Sequence, residues 1–419
     1  MKIVEREIKG RKGCDKRHDV SCRMPHRASG LTSRAPWPKV KLGEIGRVAM
    51  CKRVLNRETA DTGEIPFFKI GTFGKKANAF ITRDKFEYYR THYSYPKKGN
   101  VLISAAGTIG RLVVFNGESA YFQDSNIVWL EHDGQRLCDK YLYYFLLGHE
   151  WQFTQGATIQ RLYNDDVRNT EIPLPPLPVQ RRIADILSAY DDLIENNRRR
   201  IAILEETARL TYRKWFGGAE QSWVAKLGKV SDFFDVSIGR TPPRKNEECF
   251  STESTDLKWL SIKDMRASRV FVLDTTEKLT KAGIEKTHIH VSPPGTIFLS
   301  FKLTVGEVVI AGDSMATNEA IAHFETNDRA LRDYTYFYLS SFQYDKLGST
   351  SAIARAINSD IVRKMDFVFP ARNVLERFGK DVAPMFDQIE NLTRQNVALA
   401  AARDMLLPRL MTNKLRKEA

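Results

Sequence analysis

The sequence is poor in the features that mark secreted, membrane and metal-binding proteins. Its five cysteines are an odd number without a CxxC pair, which argues against a disulfide framework and against a zinc ribbon. No uninterrupted run of about 18 apolar residues is present to span a membrane. The N-terminus also lacks the apolar segment of a signal peptide. These absences predict a soluble protein of the reducing cytoplasm.

Catalytic motifs are missing as well. The catalytic loop of an amino-methyltransferase needs a small polar residue, two prolines and an aromatic residue that stacks on a flipped base. Thr241–Arg244 and Ser292–Gly295 contain the prolines but no aromatic residue. Gly71–Lys76 lacks the spacing of a phosphate-binding P-loop, and no HExxH motif, glycine fingerprint or evident nuclease cluster is found. We therefore expect the chain to catalyse no reaction by itself.

A possible metal motif in the N-terminal segment fails on geometry. The first 36 residues are basic and show no apolar periodicity, so we interpret them as a mobile extension. Cys14, His18, Cys22 and His26 recur there at steps of four residues. On a helix this spacing covers about 18 Å, too far to surround one ion at ligand distances of roughly 2.1 to 2.3 Å. We predict that no metal is bound.

The bulk composition indicates a folded protein, and the net charge favours a negatively charged partner. The chain has 419 residues, of which 42% are hydrophobic and 11% aromatic. This length exceeds what one hydrophobic core usually supports, so two domains with helical connections are expected. The formal net charge of +14 favours association with a polyanion.

A long internal repeat supports the same domain count. The sequence DLIEN at Asp192–Asn196 returns as DQIEN at Asp387–Asn391, and GTIG at Gly107–Gly110 matches LTVG at Leu303–Gly306. The period is too long for a solenoid, whose units span tens of residues. It indicates two copies of a whole domain followed by a helix, and therefore two similar sites in one chain.

Each copy has the pattern of an α+β domain. Short apolar runs between Gly, Asn and Asp predict strands in the first part of each copy, and a stretch with helical spacing follows. We predict a basic extension over 1–36, a first domain over 37–175, a central helical spacer over 176–218, a second domain over 219–370 and a C-terminal helical spacer over 371–419.

The two spacers carry the heptad pattern of a coiled coil. An ordinary amphipathic core helix is the alternative, but the first spacer runs for roughly 36 residues, or about 54 Å, without a Pro or Gly break. Gly379 and Pro384 weaken the second spacer, so its helix is predicted to begin near Pro384. The two helices are expected to pair antiparallel. Their predicted seam comprises Ile183, Leu187, Tyr190, Ile194, Asn197, Ile201, Leu204, Ile389, Leu392, Asn396 and Leu399.

Polar residues on the spacers suggest how the register is set. An antiparallel pairing places Asn197 level with Asn396, where a buried Asn pair can fix register. Glu195 and Asn196, with their copies Glu390 and Asn391, have two interpretations. They either hydrogen-bond between the helices or face partner proteins, and we favour the first.

Taken as an ordered set, these segments resemble the specificity subunit of type I restriction-modification systems. The resemblance covers roughly residues 38 to 415 and excludes the extension before Trp37. Ile172–Phe216 is similar to the family's central helical region and Asn391–Leu415 to its C-terminal one. The segments similar to its target-recognition domains are Glu64–Phe73, Gly99–Arg111, Gly156–Pro178, Gly239–Glu248, Leu257–Met265 and Gly295–Gly312.

The resemblance implies a DNA-binding subunit that binds no cofactor of its own. Each domain would read one half of an interrupted double-stranded DNA target, and the antiparallel helices would set the spacing and dock two modification subunits. Those partners would use S-adenosylmethionine to methylate adenine N6, and restriction subunits would cleave DNA with ATP and Mg²⁺. The alternative is a coiled-coil scaffold that binds no DNA. A fused nuclease and methyltransferase is disfavoured by the missing motifs.

Basic residues and two threonines, mostly in loops between predicted strands, are the candidate DNA contacts. Side chains that reach base edges read sequence, whereas phosphate contacts set position. Lys263 and Arg266 are expected to follow a buried strand anchored by Trp259 and Ile262. For every candidate, an ordinary surface charge is the alternative, and Arg161 and Arg355 in loops before helices could instead cap their domains. The candidates are Lys52, Arg53, Lys69, Thr72, Lys75, Lys76, Arg161, Arg240, Thr241, Arg244, Lys245, Lys263, Arg266, Lys302 and Arg355.

Overall fold

The fold consists of two similar α+β domains and a pair of long helices, which confirms the predicted class. The structure is a computed structural model that describes residues 36–151, 161–218, 222–302, 304–347 and 357–413. Arg355, the Cys14 to His26 series and nearly all of the basic extension lie outside the described residues.

The described residues of the first domain form nine strands and three α-helices, and a long helix, α4, follows them. Its strands are β1 Lys39–Lys41, β2 Arg47–Ala49, β3 Ile65–Phe68, β4 Phe80–Ile81, β5 Val101–Ser104, β6 Leu112–Val114, β7 Tyr121–Phe122, β8 Ile127–Glu131 and β9 Glu171–Pro173. The helices are α1 Arg83–His92, α2 Asp139–Leu147, α3 Asn164–Asn169 and α4 Leu177–Phe216.

Two sheets and a two-stranded ribbon form the framework of this domain. One sheet has the order β2-β8-β5-β6, with antiparallel neighbours, and the other has the order β4-β3-β7, in which β3 and β7 are parallel. Strands β1 and β9 form the ribbon. Trp129 and Tyr121 are fully buried in one apolar cluster, so large aromatic side chains fill the core where the two sheets pack.

The second domain repeats this plan in the next part of the chain. Its strands are β10 Val224–Lys229, β11 Val236–Ile238, β12 Phe250–Ser251, β13 Leu257–Leu260, β14 Phe271–Val272, β15 Glu277–Leu279, β16 Ile297–Ser300, β17 Val308–Ala311, β18 Met315–Thr317, β19 Ile321–Phe324 and β20 Asp366–Pro370. Its helices are α5 Ile262–Ala267, α6 Lys281–Thr287, α7 Arg329–Ser341 and α8 Ser359–Arg363, and the long helix α9 Arg372–Met411 follows.

The sheet orders show that the second domain duplicates the first. The sheet β11-β19-β16-β17 has the order of β2-β8-β5-β6 and adds β14 at its edge, while β15-β13-β18 has the order of β4-β3-β7 and adds β12. The ribbon β10-β20 corresponds to β1-β9. Gly110 and Gly306, matched in the repeat, have φ angles of 78° and 92° and bond to Ser104 and Ser300 respectively. The repeated glycines therefore permit the same left-handed turn.

Helices α4 and α9 have 40 residues each and run antiparallel. Three polar links show the direction: Asp191 pairs with Arg403, Asn197 with Gln395 and Trp215 with Asp381. As the residue number rises in α4 it falls in α9. At about 1.5 Å per residue each helix is roughly 60 Å long.

The two domains dock at opposite ends of the helix pair. The cluster around Ile183 and Leu187 of α4 joins the first domain to Leu407 and Leu410 of α9. The cluster that contains Ala208 and Phe216 of α4 joins the second domain to the N-terminal half of α9. Each domain thus packs on both helices.

The predicted start of the second helix near Pro384 is wrong, because α9 begins at Arg372. A Cβ at Gly379 would lie 2.7 Å from the Cβ of Ala330, so the glycine lets α9 pack closely against α7. Leu375, Phe378 and Val382 are fully buried by this packing. Burial of this apolar face outweighs the poor helix propensity of Gly and Pro.

The predicted seam is largely buried, but its polar contacts differ from expectation. Asn197 donates to Gln395 Oε1 at 3.4 Å, whereas the Oδ1 atom of Asn396 is buried without a hydrogen-bond partner among the described residues. Tyr190, Leu204, Asn396 and Leu399 are only half-buried. The buried seam positions are Ile183, Leu187, Ile194, Asn197, Ile201, Ile389 and Leu392.

The prediction that Glu195 and Glu390 form hydrogen bonds between the two helices is wrong. Glu195 pairs with Arg199 at 3.0 Å, and Glu390 pairs with Arg394 at 2.9 Å, each within its own helix. An arginine four residues after a glutamate lies on the same helix face, so the intrahelical pair forms without help from the partner helix.

Candidate nucleic-acid interface

In each domain, the loops that carry most candidate residues contact one common turn. We define the central turns as residues 122–127 in the first domain and 317–321 in the second. In the second domain, the backbone N–H of Arg240 donates to Thr317, that of Asn318 to Leu260 and that of Phe301 to Ala320. The loops after β11, β13 and β16 therefore meet at one end of the domain.

The central turn of the first domain makes two of the same contacts. The backbone N–H of Gln123 donates to Phe68 at 3.0 Å, and that of Ala105 donates to Asn126 at 2.8 Å. These bonds bring the loops after β3 and β5 to one end of the domain. The duplication therefore produces two equivalent loop clusters, which are the candidate interfaces.

In both domains an acidic residue anchors the loop that follows the first strand of the larger sheet, β2 or β11. Arg53 Nε donates to Asp124 Oδ2 at 2.8 Å in the first domain. Thr241 donates to Glu319 in the second. Asp124 and Glu319 both lie two residues beyond the strand before their central turn, and they hold equivalent loops in place.

Glu319 is ionised at neutral pH. The hydrogen bond from Thr241, together with the nearby charges of Lys302 and Arg244, lowers the pKa of Glu319 below its ordinary value. A hydrogen bond to the ionised form and opposite charges both favour the carboxylate. This carboxylate partly neutralises the basic loop cluster around it and fixes the position of Thr241.

Arg244 is the most tightly held of the candidate cations. Its two terminal nitrogens donate to Glu277 Oε1 and Oε2 at 2.7 and 3.1 Å. Its guanidinium carbon lies 4.5 Å from the ring centroid of Phe250 and 4.8 Å from that of Trp259. The bidentate ion pair and the two aromatic contacts fix its side chain at the loop-bearing end of the domain.

The other cations of the second domain are less constrained. Arg240 donates to the backbone oxygen of Thr287 at 2.7 Å, and Arg266 lies 3.8 Å from Glu307. Lys302 lies over the Phe301 ring. Lys245 and Lys263 are exposed and form no ion pair with any described residue. Such free ammonium groups suit phosphate contacts.

One expected local structure in this domain is wrong. Ile262 was expected to anchor the strand that contains Trp259, but β13 ends at Leu260 and Ile262 begins α5. Ser261 caps this helix by accepting from the backbone N–H of Asp264. Lys263 therefore lies on the first turn of a helix rather than in a loop.

The first domain presents lysines on a tight turn after β3. Thr72 Oγ1 donates to the Lys69 carbonyl at 3.2 Å and accepts from its N–H at 3.1 Å, so this threonine stabilises the turn itself. Lys75 and Lys76 are exposed and form no ion pair with described residues. Lys52 lies over the ring of Tyr93 at 5.1 Å.

Arg161 has a structural partner in the first domain. Its Nη2 donates to the backbone oxygen of Ser125 at 2.7 Å, which ties the segment before α3 to the central turn. Arg111 similarly donates to the Phe73 carbonyl at 3.0 Å. These contacts show that both arginines support the loop cluster; DNA contact by any candidate stays a prediction.

Sequence inspection missed the carboxylates Asp124, Glu319 and Glu277, and also the buried His323. His323 lies beneath the second central turn, with Nε2 2.6 Å from Thr317 Oγ1 and Nδ1 2.9 Å from Ser237 Oγ. Burial lowers its pKa to about 3, so the ring is neutral. The alignment of the two copies could have identified the carboxylates, but only the fold shows their partners.

The cleft between the domains has a different charge pattern. It lies beside the middle of the helix pair and has a volume of about 1420 Å³. The five carboxylates of the cleft outnumber its four cations, so it offers phosphates less positive charge than the basic loops at the central turns. The charged residues that line the cleft are Asp139, Lys140, Asp191, Asp192, Glu195, Arg198, Arg269, Asp274 and Arg403.

Two other kinds of site were sought in the described part of the chain. No group of three or more His, Cys, Asp or Glu side chains there could hold a metal ion. Within the same residues, no helix combines the length and hydrophobicity needed to cross a bilayer.

Two copies of one α+β domain, each followed by a long helix, define a class of duplicated proteins with a paired-helix connection. The sequence model of the type I restriction modification DNA specificity domain matches the chain twice, over residues 35–206 and 224–395. These matches cover most of the chain and follow its structural repeat. The chain belongs to the family of type I restriction-modification specificity subunits, whose role is the recognition of a DNA target.

Curated relatives carry the same description. The chain is 53% identical over 154 residues to the putative type I restriction enzyme specificity subunit S.HindORF215P of Haemophilus influenzae, and this match spans 37% of the chain and 40% of the relative. It is 22% identical over 403 residues to the HindI specificity subunit of that species, with 76% and 87% covered. It is 24% identical over 362 residues to the MjaIX specificity subunit of Methanocaldococcus jannaschii, with 77% and 78% covered.

A solved structure shares the fold. The crystal structure of the type I restriction-modification S subunit from M. genitalium aligns with a TM-score of 0.55 at 17% identity. The alignment covers 91% of this chain and 98% of that one. The likeness therefore extends over both domains and the helices.

Proposed function

We propose that this chain is the non-catalytic subunit that recognises a gapped DNA target for a type I restriction-modification complex. Each domain reads one half of the target through the loops around its central turn. The observation that supports this proposal is that the framework repeats while the loop side chains differ. Arg53 binds Asp124 in one copy, whereas Thr241 binds Glu319 in the other. Equivalent frames with different side chains suit two readers of different sequences.

The helix pair sets the spacing between the two readers. Its two ends are occupied by the two domains, and its antiparallel seam is tied by Asp191 to Arg403 and by Trp215 to Asp381. A packed pair of helices resists bending and stretching, so the distance between the loop clusters is fixed. The gap between the two half-sites should follow from that distance.

The outer faces of the helices provide surfaces for the modification subunits. Several large apolar side chains on α4 and α9 point away from the seam and are exposed. Exposed apolar groups on a helix that already has a packed face favour a protein partner. They are Ile186, Leu193, Ile203, Leu210 and Met405. Asn196 and Asn391 are also exposed on these helices.

The chemistry of the complex resides in the partners. Two modification subunits use S-adenosylmethionine for adenine N6 methylation, and restriction subunits use ATP and Mg²⁺ for cleavage. Double-stranded DNA is the ligand of this chain, which places its action in the cytoplasm. Neutralisation of several phosphates requires that log affinity for duplex DNA falls with log salt. A protein-binding scaffold would show no such dependence.

A domain exchange tests the proposal. The chain is co-expressed with its modification subunits, and methylated adenines are mapped across the host genome. We expect a two-part motif with an unread gap. Exchange of residues 222–370 for the corresponding domain of a relative should change only one half of the motif, and exchange of residues 37–175 should change only the other. A change in both halves, or a continuous motif, would contradict separate reading by the two domains.

A further inference from the structure

Arg244 differs from the other cations in being both rigid and accessible. Among the described residues, only Arg244 and Arg332 lie over two aromatic rings and also pair with a carboxylate. The Arg332 side chain is only 14% exposed, whereas that of Arg244 is 55% exposed. Arg244 is therefore the one of these two that can reach an external ligand.

The ion pair leaves one edge of the Arg244 guanidinium free. Arginine has five N–H donors in a planar fork, and Glu277 accepts one from each terminal nitrogen. The Nε–H and the neighbouring terminal N–H still point in one direction, and no described residue accepts from them. This second fork has the spacing of the O6 and N7 acceptors at the major-groove edge of guanine.

The surroundings of Arg244 place this free edge where DNA is expected. Glu277 pairs with Trp259 in the register of β15 and β13, near the end of β13 that meets the central turn. Trp259 Nε1 also donates to the backbone oxygen of Arg240 at 3.3 Å. The stacked side chains thus join the loop after β11 to the sheet that supports it.

We propose that Arg244 reads a guanine in the target half recognised by the second domain, and that Glu277 is a positioning residue for it. The inference rests on the proposed function and adds the base. Glu277 and the two aromatic rings hold the guanidinium in one orientation before DNA binds, so little side-chain entropy is lost on contact. The first domain has no described cation held by two rings, so the inference concerns the second half alone.

The test begins with the wild-type chain in complex with its modification subunits. Its methylation motif is mapped, and binding is measured to duplexes in which each base pair of the second half is replaced in turn. We expect at least one required G·C pair in that half. A gapped motif without such a pair would refute the guanine assignment while leaving the proposed function intact. Absence of any gapped motif would refute the proposed function first.

Variants then connect the base to the side chain. Arg244→Ala should lose roughly 5- to 150-fold of discrimination at one G·C pair. Lys245→Ala, the adjacent exposed cation, serves as the control and should weaken binding evenly over all sequences. Arg244→Lys keeps the charge without the fork, and it should keep overall affinity while losing part of the discrimination. Glu277→Gln should lose discrimination at the same pair although its side chain contacts no base.

Duplexes with modified bases provide the final test. Replacement of the required guanine by 7-deazaguanine removes the N7 acceptor, whereas inosine removes only the minor-groove amino group. Wild type should lose affinity on 7-deazaguanine and not on inosine, and Arg244→Ala should be insensitive to both. Equal sensitivity of wild type and Arg244→Ala to 7-deazaguanine would overturn the proposal, as would unchanged discrimination in Arg244→Ala.

Discussion

Asp124 and Glu319 occupy equivalent positions in the two domains, and each holds the loop that follows the first strand of the larger sheet. Asp124 does so through the guanidinium of Arg53, and Glu319 through the hydroxyl of Thr241. The duplicated frame has therefore kept a carboxylate at this turn while its partner differs. The carboxylate binds a cation, Arg53, in the first domain and a neutral hydroxyl, Thr241, in the second. The number of cations left free for a ligand therefore differs between the two loop clusters.

Asp124→Asn should weaken target reading by the first domain only. The Arg53 side chain is largely exposed, so the ion pair contributes about 0.2 to 1 kcal/mol. Loss of the pair should release Arg53 and relax base preference in one half-site without a change in the other. Competition binding with duplexes altered in either half measures this. Glu319→Gln is the reciprocal control, and an equal effect of both variants on both halves would disprove local anchoring.

The stability contributed by Glu319 should depend on pH. Its folded-state pKa lies below the unfolded value, so the contribution is present above the unfolded pKa and is lost as pH falls through the folded pKa. Chemical unfolding should show a larger stability difference between wild type and Glu319→Gln at pH 7 than at acidic pH. Glu118→Gln, at an exposed carboxylate without a described ion pair, should show no such trend. A difference that grows on acidification would reverse the assignment.

The helix seam can be tested with two isoleucines on α4. Ile201 is 4% exposed and Ile203 is 66% exposed. Ile201→Ala should lower the free energy of unfolding by about 2 to 5 kcal/mol, because it removes apolar contacts and leaves a cavity. Ile203→Ala should change it by less than about 0.5 kcal/mol in the isolated chain. Urea denaturation followed by circular dichroism measures both, and similar losses would contradict the observed seam.

Shortening the helix pair should shorten the unread gap. Deletion of one heptad from each helix, residues 193–199 and 392–398, removes about 10 Å by the helical rise. At 3.4 Å per base pair this corresponds to about 3 base pairs of spacer. The deletion also rotates the domains, so methylation is expected to weaken. Mapping of methylated adenines gives the gap directly, and an unchanged gap would rule out the helix pair as the ruler.

The duplication and the helix pair were predictable because both leave periodic signals in the sequence. The matched glycines Gly110 and Gly306 form the same turn, and the alternating apolar residues of α4 form a buried seam. The start of α9 was not predictable from propensity, because packing of Gly379 against Ala330 overrides it. The pairing of Glu195 with Arg199 is predictable from their spacing of four residues on one helix.

The candidate interface was predictable in residue type but not in geometry. The sequence shows that Arg244 follows two prolines, but Glu277 is distant in the chain and only strand pairing brings it close. Similarly, the partners of Arg53 and Thr241 become visible when the central turns are built. Sequence alone identifies cations; the fold determines which of them are held and which are free.

The antiparallel helices also determine the order in which the protein can complete its folding during synthesis. Leu407, Leu410 and Met411 at the far end of α9 belong to the core of the first domain, and a Cβ at Gly148 would lie 3.0 Å from Leu407. A ribosome produces the first domain early but delivers these residues only at the end of the described chain. Part of its apolar surface therefore stays uncovered while the second domain is made. The domain that emerges first is the one whose core is completed last.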